Sequence, residues 1–333
     1  MTIGGDNLST ARKTTKTTAS HLQKRADEPG VETLDITVLA GGVGVEREVS
    51  LQSGRAVYDA LCRLGHRATL CDISPDDLSA LDQPADLVFI ALHGEFGEDG
   101  TLQAKLDARG VCYSGSGADA SRAAMDKVQA KRCFEQAGLP TPAYELVEAN
   151  RLAGLTERFS VPAVVKPVAS GSSVDTSIVH TPDALQKVVA DLIKRQRRAL
   201  VERYIKGPEL TVGVLGDLAL PVCEIRTGRE FYDYQAKYVD DDTQYLFDFD
   251  LPQHLLSKVQ QLSLEAHRAL GCRVLSRVDW MVDAKTLTPY VLEINTIPGF
   301  TSHSLVPKAA AKVGLNFDRL CQRIVELSMK RRN

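Results

Sequence analysis

Two strand-like runs near the carboxyl terminus constrain this chain more than any other part of it: residues 274–283 (VLSRVDWMVD) and residues 290–295 (YVLEIN). Successive side chains of a strand point to opposite faces. This period places Arg277 and Asp279 on a common face. It also places Glu293 and Asn295 on a common face, with the apolar Val291 in the same register. Because hard oxygen ligands suit Mg²⁺, the two runs predict a metal site if they pair as strands.

Length and composition indicate a multidomain protein of ordinary globular character. The chain has 333 residues, of which 44% are hydrophobic and 25% charged, so two or three domains are expected. A net charge of -3 lacks the basic footprint of a nucleic-acid binder. The longest apolar run, residues 87–92, is too short to span a bilayer, and the chain begins without a secretory apolar segment. The seven cysteines form no CxxC pair and are expected to be reduced thiols, which favours a cytoplasmic protein.

Residues 1–33 contain many Ser, Thr, Lys and Arg residues and few large apolar ones. Such a composition cannot bury enough apolar surface to offset the entropy of ordering, so this segment is expected to be a disordered tail. The basic, hydroxyl-rich part at residues 9–25 also fits an organelle transit peptide, but the tail is the simpler interpretation.

The first ordered part reads as a strand at residues 35–40, a glycine turn at 41–44 and a helix from Glu46 onward. Further strand patterns at residues 67–72 and 86–92 indicate a parallel sheet and a Rossmann-like first domain. The turn matches neither the dinucleotide fingerprint nor the Walker A pattern. A carboxylate at Glu46 disfavours a phosphate and favours a cationic group such as a substrate amine. An acid that only complements the helix dipole is an equally weighted alternative.

The middle of the chain contains two candidate phosphate-binding features. A single helix is predicted over residues 118–137 and carries Lys127, which by default is a solvated charge. A buried strand over residues 161–166 ends at Lys166, and the loop at residues 170–173 (SGSS) follows it. Backbone N–H groups of such a loop, together with a lysine, suit a triphosphate, although a β-turn beside an exposed lysine would give the same pattern.

The second half reads as strands, a candidate lid and three helices. Residues 199–215 form two strand patterns joined by a Gly-Pro turn that suggests a domain hinge at Gly207. Aromatic and charged residues concentrate in 231–245, as they do in mobile lids. Amphipathic spacing predicts a helix over 252–270, and shorter helices are predicted over 303–313 and 317–330.

Together these motifs resemble the D-alanine:D-alanine ligase family of the ATP-grasp superfamily, from about Leu34 to the end of the chain. The motifs that carry the resemblance are residues 41–42 (GG), 46–50 (EREVS), 91–94 (ALHG), 97–103 (GEDGTLQ), 232–238 (YDYQAKY), 277–279 (RVD) and 292–307 (LEINTIPGFTSHSLVP). Several separate motifs in the same order make a coincidental match implausible.

The resemblance implies an α/β fold class, with an α+β C-terminal part, in a three-domain ATP-grasp architecture. The expected boundaries are a tail at 1–33, a Rossmann-like domain at 34–126, a central domain at 127–209 and a C-terminal domain at 210–333. The implied activity is the ATP-dependent joining of two D-alanine molecules through an acyl phosphate, with release of ADP and phosphate, for peptidoglycan precursor synthesis. A homodimer formed through the first domain is also implied.

The resemblance implies roles for individual residues. It assigns ATP to Lys127, Lys166, Ser173, Glu202, Glu209 and Lys237. It assigns two Mg²⁺, for which Mn²⁺ can substitute, to Asp279, Glu293 and Asn295, and K⁺ is a further candidate ion. It assigns substrates to Glu46, His93, Ser304 and Leu305, although a lone histidine such as His93 is more often structural.

For catalysis, the resemblance implies that Arg277 and the backbone N–H of Gly299 stabilise the developing oxyanion. It implies that Glu46, Ser172 and Tyr238 form a hydrogen-bonded triad that holds the lid closed. Two departures concern the serine loop: Asp175 stands where the family commonly has glycine, and residues 168–169 (Val-Ala) replace a more polar pair. They bear on loop mobility and ATP affinity.

Two other functions remain open from the sequence. A D-alanine:D-lactate ligase would use the same residues, but the lid sequence that contains Tyr238 accompanies dipeptide formation in the family. A non-catalytic ATP-binding regulator could share the scaffold, since fold alone does not determine function. The presence of Arg277, Asp279, Glu293 and Asn295 together argues against such a regulator.

Overall fold

The computed structural model describes residues 32–171, 174–229, 242–301 and 304–330. The predicted tail lies outside these residues except for its last two positions, and so does most of the predicted lid. No helix in these four ranges is long and apolar enough to cross a membrane.

The strands in the described ranges are β1 (Asp35–Gly41), β2 (Arg67–Ile73), β3 (Leu87–Ile90), β4 (Tyr144–Glu148), β5 (Ala163–Lys166), β6 (Ser177–Val179), β7 (Arg198–Arg203), β8 (Glu209–Leu215), β9 (Leu218–Ala219), β10 (Cys223–Arg226), β11 (Gln244–Leu246), β12 (Leu275–Val282) and β13 (Pro289–Asn295). The α-helices there are α1 (Arg47–Arg63), α2 (Thr101–Ala108), α3 (Ala118–Met125), α4 (Lys127–Gln136), α5 (Leu155–Arg158), α6 (Pro182–Gln196), α7 (Gln253–Ala269), α8 (Leu305–Ala311) and α9 (Phe317–Met329). Two 3₁₀ turns, Ser79–Asp82 and Ala149–Arg151, complete the described elements.

Three sheets organise these elements. The first is parallel, in the order β2-β1-β3, as the strand and helix alternation predicts. The second is antiparallel, in the order β4-β7-β5-β6, and α6 covers one face of it with Leu185, Val189 and Leu192. The third is also antiparallel, in the order β11-β10-β8-β12-β13, with β9 paired to β8. One parallel and two antiparallel sheets confirm the predicted fold class, α/β with an α+β C-terminal part.

The prediction of one helix over residues 118–137 is wrong, because the helix breaks at Asp126. The backbone of Asp126 is extended (φ -83°, ψ 100°) and its carboxylate accepts hydrogen bonds from the N–H groups of Val128 and Gln129. Capping by an aspartate competes with helix continuation and starts a second helix at Lys127. The second helix, α4, lies between two sheets: Val128 packs with Leu200 of the second sheet, while Phe134 belongs to the apolar core of the third.

The strands predicted at 274–283 and 290–295 do pair, and they are antiparallel. The uniform alternation expected along the second strand is wrong, however. Asp279 pairs with Glu293 and the next residue, Trp280, pairs with Val291, so the register skips Leu292. Such a bulge redirects side chains. Val291 therefore joins Ile294 in the buried core instead of sharing the face of Glu293.

The link from β7 to β8 passes from the second sheet to the third. Gly207 in this link approaches β12 so closely that a Cβ on it would lie 1.9 Å from the carbonyl oxygen of Val282. Backbone hydrogen bonds from Val282 to Pro208 and from Ala284 to Lys206 attach the link to β12. The two sheets are therefore connected close to the strand that carries Asp279.

The C-terminal helix α9 returns to the first sheet and closes the structure. It packs against α1, where Arg63 binds Asp318 with donor–acceptor distances of 2.6 and 3.0 Å and His66 contacts Gln322 at 3.0 Å. One apolar core contains residues of β1, α1, β3, α8 and α9, and it includes Phe300 of the loop after β13. This core joins the loop after β13 to the first domain.

Candidate active site

Strands β12 and β13 bring the predicted metal-binding residues together. Arg277 pairs in register with Asn295, and Asp279 with Glu293. The guanidinium group of Arg277 donates two hydrogen bonds to the Asp279 carboxylate, at 2.9 and 2.8 Å. The hydroxyl of Thr211 on β8 donates a third, at 2.6 Å. Asp279 is buried, so these donors orient the carboxylate and offset the cost of its burial.

Lys127, the first residue of α4, is not the solvated charge that is the default for a helical lysine. It is 8% exposed, and its ammonium group lies 3.7 Å from a carboxylate oxygen of Glu293. The ammonium group also donates to the carbonyl oxygen of Ser170 at 2.6 Å, and the backbone N–H of Lys127 donates to the carbonyl oxygen of Val168. The start of α4 therefore links the loop after β5 to β13, the strand that carries Glu293.

Glu202 on β7 is a buried carboxylate between two buried lysines. Lys166 of β5 lies 2.9 Å from one of its oxygens and Lys131 of α4 lies 2.9 Å from the other. Burial by itself raises the pKa of Glu202, but the two ammonium groups outweigh it and the pKa is lowered. Burial also lowers the pKa of Lys166, yet attraction by Glu202, Glu293 and Glu209 reverses the direction and raises it. These carboxylates therefore surround Lys166 closely enough to hold it protonated.

The predicted first-substrate residue, Glu46, lies just before α1 and faces two glycines from other segments. A Cβ on Gly94 would lie 2.7 Å from a carboxylate oxygen of Glu46, and one on Gly171 would lie 3.2 Å from it. Gly94 also has φ +70°, a conformation that side chains other than glycine rarely adopt. The carboxylate thus lies where the loop after β3 and the loop after β5 meet.

His93 is buried and connects α1 to the loop after β13. Its Nε2 lies 3.2 Å from the hydroxyl of Ser53, and its Nδ1 lies 3.1 Å from the carbonyl oxygen of Ile297 and 3.4 Å from Glu98. Donation from Nδ1 to the carbonyl leaves Nε2 to accept from Ser53. Burial raises the pKa of Glu98, and the contact with His93 opposes the shift.

The loop after β13 is held by side chains at both of its ends. Asn295 accepts a hydrogen bond from the backbone N–H of Ile297 at 2.9 Å. Ser53 accepts one from the N–H of Phe300 at 3.3 Å. Ser304 lies directly before α8, and a Cβ on Gly299 would be 2.8 Å from its hydroxyl. The loop therefore brings the predicted oxyanion donor beside one of the predicted acceptor-binding residues.

Leu305 is the first residue of α8, is buried, and packs with Cys223 and Ile225 of β10. Glu209 begins β8 and pairs with Met281 of β12 and Ile225 of β10. Four further predicted site residues lie outside the described ranges: Ser172, Ser173, Lys237 and Tyr238. Of the three residues in the predicted triad, the structure therefore describes Glu46 alone.

The donor set of the predicted metal site fits Mg²⁺ by its chemistry. In the described ranges, no group of three or more His, Cys, Asp or Glu side chains is arranged to bind a metal ion. The predicted set is instead two carboxylates, from the register partners Asp279 and Glu293, and the carboxamide of Asn295. All three offer oxygen, and Mg²⁺ is bound by one or two carboxylates together with substrate phosphates and water. Phosphate oxygens and water would complete the coordination of an ion bound there.

Three residues at the site were not found by sequence reasoning: Ser53, Lys131 and Thr211. Lys131 lies four residues after Lys127, so the two share a helix face, and this spacing was the available signal. Ser53 and Thr211 had no distinguishing signal, because a serine on a helix and a threonine in a strand are ordinary at those places. Their roles arise from the residues that tertiary packing brings to them.

The chain matches the family models described as D-ala D-ala ligase C-terminus, over residues 133–326, and D-ala D-ala ligase N-terminus, over residues 73–116. It is 44% identical over 300 residues to a D-alanine–D-alanine ligase of Gloeobacter violaceus, covering 88% of this chain and 99% of the relative.

Two solved structures are similar over most of the chain. A D-alanine–D-alanine ligase from Bacillus anthracis complexed with ATP has a TM-score of 0.78 and 32% identity, covering 90% of this chain and 99% of that one. The VanG D-Ala:D-Ser ligase from Enterococcus faecalis has a TM-score of 0.79 and 26% identity, covering 89% of this chain and all of that one.

Proposed function

This chain belongs to the D-alanine–D-alanine ligase family, and from that premise we propose that it joins two D-alanine molecules at the expense of ATP, releasing ADP and phosphate. The product, D-alanyl-D-alanine, is a precursor for peptidoglycan synthesis. The relative from B. anthracis that was solved with ATP supports the choice of nucleotide.

One observation carries the proposal: paired strands place Arg277, Asp279, Glu293 and Asn295 in adjacent register beside Lys127. A cation next to oxygen ligands for Mg²⁺ is the arrangement that phosphoryl transfer requires, because charge accumulates on the transferring group. A non-catalytic ATP-binding regulator would not need a guanidinium group at this position, so the arrangement favours the enzyme.

The first half-reaction activates a carboxylate. An amine does not displace oxide from an unactivated carboxylate at a useful rate, so the first D-alanine receives the γ-phosphoryl group of ATP and becomes an acyl phosphate. Lys127 and Lys166 bind the phosphates, while Glu202 and Glu209 bind the nucleoside, together with Ser173 and Lys237. Asp279, Glu293 and Asn295 would hold two Mg²⁺, or Mn²⁺ in their place, and these ions would neutralise charge on the transferring phosphoryl group.

The second half-reaction forms the peptide bond. The amine of the second D-alanine attacks the acyl phosphate, and the tetrahedral oxyanion is stabilised by Arg277 and by the N–H of Gly299. Glu46 binds the ammonium group of the first substrate, and His93 helps to place that substrate. Phosphate leaves as the carbonyl re-forms.

The second substrate is bound by its carboxylate at Ser304 and Leu305, beside Gly299. A hydrogen-bonded triad of Glu46, Ser172 and Tyr238 excludes water during the reaction, since water would hydrolyse the acyl phosphate. The closeness of Gly171, which directly precedes Ser172, to the Glu46 carboxylate supports this triad.

The experiment that tests the proposal measures two products. Purified protein is incubated with ATP, Mg²⁺ and D-alanine, and phosphate release and dipeptide formation are followed together. D-Lactate and D-serine are added separately as competing acceptors, because a depsipeptide ligase would prefer the first and the structural relative from E. faecalis is named for the second. Absence of both phosphate and dipeptide would reject the enzyme, and preferential depsipeptide formation would select the D-lactate ligase.

Four further properties are proposed with this function. The domains divide at residues 126/127 and 209/210, the enzyme is a homodimer through its first domain, it acts in the cytoplasm, and K⁺ is an additional activating ion. Sedimentation velocity at several protein concentrations tests the dimer, and repeating the assay with K⁺ replaced by Na⁺ tests the ion. Limited proteolysis tests the domain boundaries, and deletion of residues 1–33 followed by the same assay tests the function of the tail.

A further inference from the structure

Lys131 is a fully buried cation that the proposed mechanism does not use. Its side chain is 0% exposed and is among the largest buried side chains of the described residues. Burying an ammonium group costs several kcal/mol unless it is well paired. The groups that contact the Lys131 ammonium therefore show which interactions offset the cost of burying it.

Three groups from different elements contact the Lys131 ammonium. Its Nζ lies 2.9 Å from Oε1 of Glu202 and donates to the Thr141 hydroxyl at 2.7 Å. It also lies 5.3 Å from the centroid of the Tyr144 ring, within the range of a cation–π interaction. Thr141 in turn donates to the carbonyl oxygen of Val291 at 2.9 Å. Lys131 thus connects α4, the second sheet and the strand that carries Glu293.

The two buried lysines share one contacting carboxylate. Lys131 and Lys166 lie against opposite oxygens of Glu202, so neither lysine has that carboxylate to itself. Oε1 of Glu202 has no well-directed hydrogen bond from the residues that the structure describes, which means that Lys131 acts on it mainly by charge. Without Lys131, the full charge of the Glu202 carboxylate would act on Lys166.

We propose that Lys131 is a positioning residue for nucleotide binding: by sharing the Glu202 carboxylate, it leaves Lys166 free to direct positive charge at the triphosphate. The inference rests on the proposed function, in which Lys166 binds phosphates and Glu202 binds the nucleoside. The pKa of Lys131 is lowered by burial and by the neighbouring Lys166, and attraction by Glu202 opposes that shift.

The test substitutes Lys131→Met, which removes the charge and keeps a long apolar side chain. ATP affinity is measured by calorimetry without D-alanine, and kcat and both KM values are measured at saturating co-substrate. We expect the Kd and KM for ATP to rise roughly ten- to hundredfold, the range for losing one interaction with a charged group, while kcat and the KM for D-alanine change less than about threefold. Lys258→Met, at an exposed position of α7, is the charge-matched control and is expected to change none of them.

Two further variants separate positioning from packing. In a Glu202→Gln background, Lys131→Met is expected to have little additional effect on ATP affinity, because the carboxylate through which it acts is gone; additive losses would overturn the inference. Thr141→Val keeps both charges, removes one contact of Lys131, and is expected to weaken ATP binding by a smaller factor. It serves as the test if Lys131→Met does not fold, and unchanged ATP affinity in this variant would then overturn the inference.

The outcomes distinguish this inference from the proposed function. If the wild-type protein neither binds ATP nor releases phosphate, the proposed function fails. If the wild-type protein is active and Lys131→Met lowers only thermal stability, with ATP affinity unchanged, the residue is structural and this inference alone fails.

Discussion

Glu293 and Asp279 are direct register partners across the antiparallel pair β12–β13, and the Lys127 ammonium lies 3.7 Å from Glu293. Because Glu293 is partly exposed at the site and outside the apolar core, its charge is expected to serve catalysis and not folding.

The substitution Glu293→Gln keeps the shape of the side chain and removes the charge. We expect turnover to fall by on the order of 10²–10³, because metal-borne charge stabilisation is worth several kcal/mol in such transition states. The melting temperature is expected to change by less than about 2 °C, and the Mg²⁺ concentration for half-maximal activity is expected to rise. Glu148→Gln on β4, at an exposed position, is the control and should leave turnover and Mg²⁺ dependence unchanged. Equal losses of turnover and stability in Glu293→Gln would mean that the residue is structural.

Ser53 is expected to position the loop that carries Gly299. Its buried hydroxyl accepts from the N–H of Phe300 and contacts His93. In Ser53→Ala the Phe300 N–H loses its partner, which costs about 1–3 kcal/mol of stability for a buried donor, and turnover is expected to fall about tenfold or more as the oxyanion donor shifts. Chemical denaturation and steady-state kinetics measure the two effects.

The control for this prediction is Ser328→Ala on α9, where the buried hydroxyl donates back to the carbonyl of Ile324 in its own helix. It is expected to alter stability without altering turnover. If Ser53→Ala has the same profile as Ser328→Ala, then Ser53 does not position the loop.

Local periodicity was sufficient to predict β12 and β13 as strands and the placement of Arg277 on the same face as Asp279, because a run such as residues 274–283 contains its own strand pattern. The pairing of the two strands was only a condition of the predicted metal site, and the structure supplies it. The bulge at Leu292 was not predictable in this way, because the register of a strand is decided by its partner. As a result, the prediction that Val291 shares the face of Glu293 was wrong. The prediction that Glu293 and Asn295 share a face did not depend on the bulge, because both residues follow it.

Lys131 and the division between α3 and α4 were missed for two different reasons. The apolar spacing of residues 118–137 is compatible with one helix, and an aspartate before a lysine is common within helices as well as at their starts. Only the extended backbone of Asp126 decides between the two. The burial of Lys131 depends on Glu202 and Thr141, which lie 71 and 10 residues away, so its partner was not identifiable from the helix itself.

The Asp126 cap gives a third prediction. Its carboxylate accepts from two N–H groups of the first turn of α4, the helix that carries Lys127. Asp126→Ala is expected to cost about 1 kcal/mol of stability and to raise the KM for ATP severalfold, because the start of α4 loses its anchor. Asp126→Asn retains the cap while removing the charge that lies 3.8 Å from Arg198, so it isolates the effect of capping. Equal effects of the two substitutions would assign the role to charge instead.

Acid sensitivity gives a fourth prediction, through His267 on α7. The ring is buried behind β12 and its Nδ1 lies 2.7 Å from the hydroxyl of Ser276. Burial, with a contribution from Arg268, lowers the pKa of His267 from 6.5 to about 4. The folded state therefore holds His267 neutral, whereas the unfolded state binds a proton below pH 6.5. The stability that the neutral ring contributes is fully present above about pH 6.5 and is lost as the pH falls toward about 4.

We expect the wild-type protein to lose about 2 kcal/mol of unfolding free energy between pH 7.5 and pH 5 because of His267 alone. In His267→Asn, which retains a polar group for Ser276 and cannot be protonated in this range, that part of the pH dependence should disappear. The matched control is His254→Asn, at an exposed position of the same helix, which should keep the wild-type dependence. Urea unfolding at the two pH values measures the difference, and parallel losses in wild type and His267→Asn would show that other groups cause the acid sensitivity. Because His267 is hydrogen-bonded to β12 only one residue before Arg277, its protonation is expected to loosen the strand that holds the metal-binding residues before the protein as a whole unfolds.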